Sequence, residues 1–319
     1  MTASSLPPPP YAPEAAVRRL AVHTSRRLDG LLQGDHVRQV LGPGGEPAEA
    51  RPHVVGDDAR RIDWAVTART GEVHVRTTTA DRELETTLVV DLTPSMAFGT
   101  RGSEKRDLAV AAASGLVHLA SGHGDRVGAL VLSGAGTRRV PGRTGRDAAH
   151  ALTHVLATTP RTADGPAPAL AGALSALSRP PHRRGLVVVL SDLLEAPREG
   201  GQGGAPGWAR PLRLLAARCD VVVAQVVDRR ELSLPDVGTL SLVDPETGRL
   251  LEVRTTSALR SRYAAAAADR AQRQRTAVRA AGARHVLLST DRDWLAPLAR
   301  SLSARHRPGA APASGARRA

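Results

Sequence analysis

The chain has 319 residues, 41% of them hydrophobic, and carries a formal net charge of +13 at pH 7. It has no apolar stretch near the roughly 18 residues of a membrane span and no signal-peptide core, so we expect a cytoplasmic protein without a membrane span. The single cysteine, Cys219, excludes a disulfide within the chain, and an aromatic content of only 2% argues against nucleic-acid recognition by base stacking.

The first part of the chain predicts a small module of its own. Residues 1–13 form a proline-rich leader, which is typical of disorder. From Glu14 to about Gln33, apolar residues at helical spacing predict an amphipathic helix. Residues 34–87 are turn-rich and β-like, and "EVHVRTTT" and "ELETTLVVDL" predict two strands joined by a tight connection at "ADR". We therefore assign residues 14–87 to an N-terminal helix and a small β-rich module.

After Asp91 the sequence alternates between strand and helix patterns. The predicted helices are "KRDLAVAAASGLVHLAS", "RDAAHALTHVLATT", "PALAGALSALS", "PLRLLAARC", a long helix at about 257–281 and a last one through about 305. The predicted strands are "RVGALVLS", "GLVVVLSDLLE", "DVVVAQVVD" and "HVLLS", with a hairpin-like insert at "GTLSLVDPETGRLLEVRT". Nearly continuous Val and Leu strands between helices predict a mainly parallel, doubly wound α/β sheet covered on both faces. This domain spans 88–305, and residues 306–319 form a disordered basic tail.

Two of the predicted strands end in carboxylates. "LVVD" ends at Asp91 and is followed by the hydroxyls of Thr93 and Ser95, and "VVVLSD" ends at Asp192. In open α/β sheets ligands bind at the carboxyl ends of the strands, and a buried charge is costly unless something compensates it. A cation such as Mg²⁺ with oxygen ligands, a nucleophile, and a well-capped turn are the interpretations that these residues leave open.

The segment "DLTPSM" resembles the D-x-S-x-S metal-ion-dependent adhesion site of von Willebrand factor A domains, with Thr93 in the first serine position. The longer segment "VVGDDARRIDWAVTARTGEVHVRTTTADRELETTLVVDLTPSM" resembles the signature of the domain of unknown function 58 (DUF58) family. In that signature a G-D-D-x-R-x-I-D-W block and an A-R pair precede the strand that bears the metal motif. The matching residues here are Gly56, Asp57, Asp58, Arg60, Ile62, Asp63, Trp64, Ala68 and Arg69.

The resemblance implies a von Willebrand factor A-like domain that binds Mg²⁺ or Mn²⁺ through Asp91, Thr93 and Ser95. Asp192 would reach the cation directly or through water. The resemblance also implies a MoxR-type AAA+ ATPase as the protein partner, because members of the family are commonly found beside such ATPases. Many relatives carry two N-terminal membrane spans, and we expect none in this sequence.

One departure from the family pattern weakens the expected metal site. Such domains usually supply a threonine from a second loop, often as G-G-T, whereas the corresponding segment here is "TTPRTADGPAPALAGAL". Thr162 is nearby, but Gly165, Pro166 and Ala167 occupy the expected place. We therefore expect the metal to bind weakly.

The G-D-D-x-R-x-I-D-W block allows a structural or a docking interpretation. In the structural one, Gly56 permits a turn, Asp57 or Asp58 caps it, Arg60 or Arg61 pairs with Asp63, and Trp64 packs between the small module and the sheet. In the docking interpretation, the same block forms a surface that binds a partner. The structural interpretation is favoured, because alternating charges around a single tryptophan suit a seam between domains.

The sequence argues against an enzyme. There is no G-x-S-x-G elbow and no Walker A motif, Ser95 has no histidine close in sequence, and Asp91 lacks the D-x-D-x-T context of aspartate-based phosphatases. We predict an adaptor that works through protein–protein contacts. Two alternatives remain: a metal-dependent phosphoryl-group hydrolase at the same site, and an anionic-polymer binder that uses the arginine surface. Because Lys105 is the only lysine, the arginine excess fits codon bias and is weak evidence for nucleic acid.

Overall fold

The structure is a computed structural model that describes residues 50–54, 62–76, 85–100, 103–122, 125–161, 168–179, 185–194, 205–243 and 250–303. The predicted leader, the helix from Glu14 to Gln33 and the basic tail lie outside the described residues. Within the described part of the chain, no helix is both long and apolar enough to cross a membrane.

The described residues form ten strands and seven α-helices. The strands are β1 (Ala50–Pro52), β2 (His74–Arg76), β3 (Glu85–Leu92), β4 (Arg126–Ser133), β5 (Gly136–Arg143), β6 (Gly185–Ser191), β7 (Asp220–Val227), β8 (Thr239–Val243), β9 (Leu250–Arg254) and β10 (Arg284–Ser289). The helices are α1 (Trp64–Thr70), α2 (Lys105–Gly122), α3 (Arg146–Thr158), α4 (Leu170–Ser178), α5 (Ala209–Ala216), α6 (Ser257–Ala280) and α7 (Leu295–Ser303).

Six of these strands form the central sheet, in the order β10-β7-β6-β3-β4-β5. All neighbouring pairs are parallel except β4 and β5, which are antiparallel. The chain runs outward from β3 to β4 and β5 and then returns to the other side of β3 with β6. The strand order therefore reverses between β3 and β6, and in such sheets the crevice at the carboxyl ends of these strands is the usual place for a ligand.

The hydrophobic core has two layers, one on each face of the sheet. Helices α2, α3 and α7 pack on one face and α4, α5 and α6 on the other. In β3, Leu88 and Val90 face the first layer and Val89 faces the second, and all three are fully buried. Each such side chain contributes about 1.5–3 kcal/mol through burial, which explains why the strands are continuously apolar. The predicted doubly wound, mainly parallel α/β class is confirmed.

The two strands predicted on either side of "ADR" do not pair with each other. Strand β2 pairs with β1 in an antiparallel two-stranded sheet, whereas β3 pairs with β4 and β6 in the central sheet. The apolar residues of β3 need cover on both faces, and only the central sheet provides it. The "ADR" residues themselves lie outside the described part of the chain.

Strand β5 was not predicted from the sequence, whereas the insert of β8 and β9 was predicted correctly. Strand β5 is "GTRRVPGR", an exposed edge strand whose arginines and proline hide the alternation that signals a strand. Strands β8 and β9 pair in antiparallel fashion, as the hairpin pattern predicted.

Candidate functional site

The carboxylate of Asp91 lies at the end of β3, and it is 5% exposed. Its Oδ1 atom accepts hydrogen bonds from the Thr93 hydroxyl at 2.6 Å and from the Thr93 N–H at 3.1 Å. Its Oδ2 atom accepts a hydrogen bond from the Ser191 hydroxyl at 2.7 Å. The carboxylate therefore joins the ends of the two strands between which the strand order reverses.

The loop after β3 curls because a short 3-10 helix, Pro94–Met96, follows Thr93. The side chain of Met96 is fully buried in the core and anchors this turn. The curl places the Thr93 Oγ1 atom 3.3 Å from the Ser95 Oγ atom. The three oxygen-bearing side chains predicted at this site, Asp91, Thr93 and Ser95, thus lie together.

Asp192 directly follows β6 and is 3% exposed. Its Oδ2 atom accepts a hydrogen bond from Lys105 Nζ at 2.8 Å, and its Oδ1 atom accepts one from the Leu194 N–H at 3.0 Å. Both oxygens of Asp192 are thus engaged by the protein. If a cation were bound at Asp91, Asp192 could contact it only through a remaining lone pair or through an intervening water. The sequence had predicted a contact that is either direct or through water.

Lys105 is the part of the site that sequence reasoning missed. It begins α2 and is fully buried, and its Nζ atom also contacts Glu231 Oε1 at 2.5 Å. Burial by itself lowers the pKa of Lys105, but the charges of Asp192 and Glu231 outweigh it and raise the pKa above its ordinary value. The signal available in the sequence was that Lys105 is the chain's only lysine, at the start of the helix that follows the motif.

Asp228, at the end of β7, ties the surrounding loops together. It is fully buried and accepts hydrogen bonds from the Thr100 hydroxyl at 2.8 Å, the Arg230 N–H at 2.8 Å and the Thr290 hydroxyl at 2.6 Å. Burial opposes ionisation of Asp228, but these hydrogen bonds together lower its pKa. The backbone N–H of Asp228 in turn donates to Glu231 Oε2 at 3.0 Å, which holds Glu231 against Lys105.

The charge balance differs between the two strand-end carboxylates. Asp192 has the ammonium of Lys105 beside it, whereas Asp91 has no cationic partner among the described residues. Burial, and secondly repulsion from Asp192, raise the pKa of Asp91 to about 6, although Thr93 and Ser191 donate hydrogen bonds to it. A bound cation would relieve both effects, because it would neutralise a charge that burial and Asp192 otherwise disfavour.

The donor set around Asp91 fits a hard divalent cation in type. Mg²⁺ binds carboxylate and hydroxyl oxygens and keeps several waters, and Asp91, Thr93 and Ser95 offer one carboxylate and two hydroxyls. No group of three or more His, Cys, Asp or Glu side chains that could hold a metal occurs within the described residues. The second-loop residues Thr162, Gly165, Pro166 and Ala167 lie outside the described ranges.

The described part of the G-D-D-x-R-x-I-D-W block, residues 62–64, precedes the central sheet along the chain. Asp63 is the N-cap of α1 and accepts hydrogen bonds from the N–H groups of Ala65 and Val66, while Ile62 forms a β-bridge with Val75. Trp64 is 70% exposed, so the expectation that it packs between the module and the sheet is wrong. As the first residue of a seven-residue helix with no buried positions, it faces solvent.

The other residues of the signature divide into two groups. Ala68 and Arg69, also on α1, are exposed. Gly56, Asp57, Asp58, Arg60 and Arg61 lie outside the described residues. The predicted ion pair with Asp63 and the predicted cap therefore remain predictions.

Comparison with known proteins gives a family and several relatives. The family model described as "Protein of unknown function DUF58" matches residues 49–274. The chain is 49% identical over 294 residues to the uncharacterized protein Rv1480 of Mycobacterium tuberculosis, which covers 92% of this chain and 90% of that protein. The uncharacterized protein Mb1516 of Mycobacterium bovis matches with the same identity and coverage.

Two solved structures are similar to the chain at low sequence identity. The conserved hypothetical protein BatB from Bacteroides thetaiotaomicron has a TM-score of 0.42 and 16% identity, covering 69% of this chain and 97% of that chain. A von Willebrand factor type A protein from Catenulispora acidiphila has a TM-score of 0.38 and 12% identity, covering 73% of this chain and 42% of that chain.

Proposed function

Because the chain belongs to the DUF58 family, as its signature predicted, we propose that it is a protein–protein interaction module whose contact site is the end of β3. The observation that carries this proposal is the buried carboxylate of Asp91, which lacks a cationic partner among the described residues and lies where the strand order reverses. We propose no reaction for the chain.

The proposed site holds Mg²⁺ or Mn²⁺ through Asp91, Thr93 and Ser95. When bound, the ion would supply a Lewis-acidic centre that accepts a carboxylate from a partner protein. Asp91 supplies the anionic ligand, and the two hydroxyls lie beside it within the same curled loop. Asp192 adds negative potential, while its own carboxylate is held by Lys105.

The partner proposed for this site is a MoxR-type AAA+ ATPase, in a chaperone-like or complex-maturation system in the cytoplasm. The support for this partner is the family resemblance described above. An acidic side chain of the ATPase would complete the shell of the cation, so association should depend on both the metal and Asp91.

Metal binding is tested by isothermal titration of Mn²⁺ and Mg²⁺ into the wild type, Asp91→Asn and the control Asp147→Asn. Asp147 is an exposed carboxylate at the start of α3, so its replacement removes the same charge elsewhere. We expect weak binding to the wild type and the control, and none to Asp91→Asn. The variant should fold, because it removes a charge that Asp192 repels and keeps an oxygen that can accept from Thr93. Equal titrations for all three proteins would remove the metal from the proposal.

The partner is tested by co-purification of a MoxR-type AAA+ ATPase from the same organism with the wild type, Asp91→Asn, Asp147→Asn and EDTA-treated wild type. We expect the ATPase to co-purify with the wild type and with Asp147→Asn in Mg²⁺ buffer, and not with Asp91→Asn or with the EDTA-treated wild type. Equal recovery in all four samples would move the interface away from Asp91. Recovery in none would leave the metal site standing without this partner.

A further inference from the structure

A pocket with a volume of about 140 Å³ lies at the carboxyl end of the sheet, on the far side of Asp192 from Asp91. It is enclosed by the ends of β6 and β7, the edge strand β10 and the middle of α6. An engineered protein cavity of about 150 Å³ holds a benzene molecule, so this volume suits one aliphatic side chain. The pocket is separate from the cluster of Asp91, Thr93 and Ser95.

The pocket is apolar where it opens to solvent. Leu194, Leu232 and Leu287 line it, and they are 38%, 37% and 43% exposed. Ala267 and Ala271 of α6 form the opposite side. Large apolar side chains that remain this exposed around a concave surface are typical of a binding site.

The polar side chains in its wall are already paired with one another. Gln225 Nε2 donates to Gln274 Oε1 at 2.8 Å, and Gln274 Nε2 donates to the Leu193 carbonyl at 2.8 Å. Gln225 Oε1 lies 2.9 Å from His285 Nε2. Because the two amides satisfy each other, the group that enters the pocket gains little from hydrogen bonding and is expected to be apolar.

The rim of the pocket is positively charged. Arg270 and Arg275 of α6 line it. Arg270 donates to the Glu231 carbonyl at 3.4 Å, whereas the side chain of Arg275 has no hydrogen bond or ion pair to another described residue. The carboxylates of Asp192 and Glu231 also contribute to the lining, but both are held by Lys105. Three cations (Lys105, Arg270 and Arg275) therefore face two carboxylates, which leaves a net positive charge at this surface.

We propose that this pocket binds a partner protein through an aliphatic side chain, Leu or Ile, flanked by acidic residues. The aliphatic group fills the space between Leu194, Leu232 and Leu287, and the acidic groups pair with Arg270 and Arg275. The chain's own tail at 306–319, "HRPGAAPASGARRA", carries basic residues and no acidic one, so it lacks the charge that this rim requires. The inference needs no bound cation and is independent of the proposed metal site.

The test is a titration of the full chain, with its leucine methyl groups labelled with ¹³C, by the peptide acetyl-Asp-Glu-Leu-Glu-Asp-amide in EDTA. We expect methyl shifts at Leu194, Leu232 and Leu287 by nuclear magnetic resonance. Replacing the peptide's leucine by alanine should weaken binding about tenfold or more, because the apolar anchor is lost. A peptide with lysines in place of the acidic residues should also bind about tenfold more weakly, because its charges are repelled by the arginines of the rim.

The matched protein variants are Arg275→Glu and Arg273→Glu. Arg273 lies on the same helix and is 63% exposed, but it pairs with Asp269 and does not line the pocket. Arg275→Glu should weaken the binding of the acidic peptide about tenfold and strengthen the binding of the lysine peptide. Arg273→Glu should change the affinity for either peptide by less than about threefold. The proposal is overturned by equal effects of the two variants, by equal binding of the alanine peptide, or by the absence of shifts at the three leucines. Methyl shifts that appear only when Mg²⁺ replaces EDTA, and that vanish in Asp91→Asn, would assign the peptide to the metal site instead.

Discussion

Leu193 is the one non-glycine residue in the described part of the chain with a positive φ, at 58°. A left-handed backbone at such a residue costs on the order of 1–3 kcal/mol and persists only where its surroundings hold it. Here the Leu193 N–H donates to Ser191 Oγ at 3.0 Å, its carbonyl accepts from Gln274 Nε2, and its side chain is buried. The strained residue directly follows Asp192, so these contacts fix where that carboxylate lies.

His285 belongs to the same set of contacts through Gln225 and Gln274. Burial lowers the pKa of His285 to about 4, and the charges of Arg275 and Arg279 on α6 add to the effect. Between pH 6.5 and pH 4 the unfolded chain therefore binds a proton at this position that the folded chain does not. Stability should fall as pH falls through this window.

The corresponding prediction concerns the variant His285→Gln, whose amide can still donate to Gln225. Between pH 7 and pH 4.5, the wild type should lose on the order of 1–2 kcal/mol more of its free energy of unfolding than the variant, after allowance for solvent screening. Urea denaturation at a series of pH values measures this difference. His154→Gln, at an exposed position on α3, is the control, and a pH dependence in His285→Gln equal to that of the wild type would contradict the assignment.

At the scale of elements, Lys105 joins α2 to the ends of β6 and β7. The fold brings this helix start to the carboxyl edge because the loop after β3 turns back sharply, with the Lys105 N–H donating to the Phe98 carbonyl at 2.8 Å. Gly99 is required in that turn, since a Cβ atom there would lie 2.1 Å from the Ser103 carbonyl oxygen. One buried ammonium thus connects three elements around the site.

Replacing Lys105 by methionine should destabilise the fold by about 3–5 kcal/mol, because Asp192 and Glu231 would lose their buried counter-charge. Adding Glu231→Gln should restore part of that loss, as coupled partners do. Urea denaturation of both single variants and the double variant measures the coupling. For comparison, Arg161→Ala breaks an exposed ion pair with Glu104 and should cost less than about 1 kcal/mol. A similar small loss for Lys105→Met would show that the buried pair adds nothing.

The elements that the sequence predicted well are those whose pattern reflects burial on both sides. Strands β3, β6 and β7 contain continuous runs of apolar residues, mostly Val and Leu. Asp91, Thr93 and Ser95 lie together because they are only two residues apart from one another at the end of β3 and in the loop that follows it. Lys105, Glu231 and Asp228 were missed because the contacts that bring them to the site, Lys105 with Asp192 and Glu231 and Asp228 with Thr290, join residues more than 60 positions apart along the chain. The edge strand β5 and the pairing of β2 were missed because exposed positions impose little pattern.

At the scale of the whole molecule, the net charge of +13 is spread over separate surfaces. Arg138, Arg139 and Arg143 are exposed on β5, at one edge of the central sheet. Arg262 and Arg273 are exposed on α6, which packs against β10 at the opposite edge. With strands roughly 4.8 Å apart, five intervals separate these edges by about 24 Å. The exposed arginines at the two edges therefore form two distant groups.

This distribution predicts that DNA binds weakly and without a defined site. In fluorescence anisotropy with a mixed-sequence duplex, we expect binding at about 0.05 M salt that is lost by about 0.2 M, because released counterions drive such contacts. Arg138→Gln with Arg139→Gln, and Arg262→Gln with Arg273→Gln, each remove two positive charges from one edge. The two pairs should weaken binding by similar factors, since neither edge is a dedicated site. Sub-micromolar binding that persists at about 0.2 M salt and is abolished by only one pair would instead identify that edge as a nucleic-acid surface.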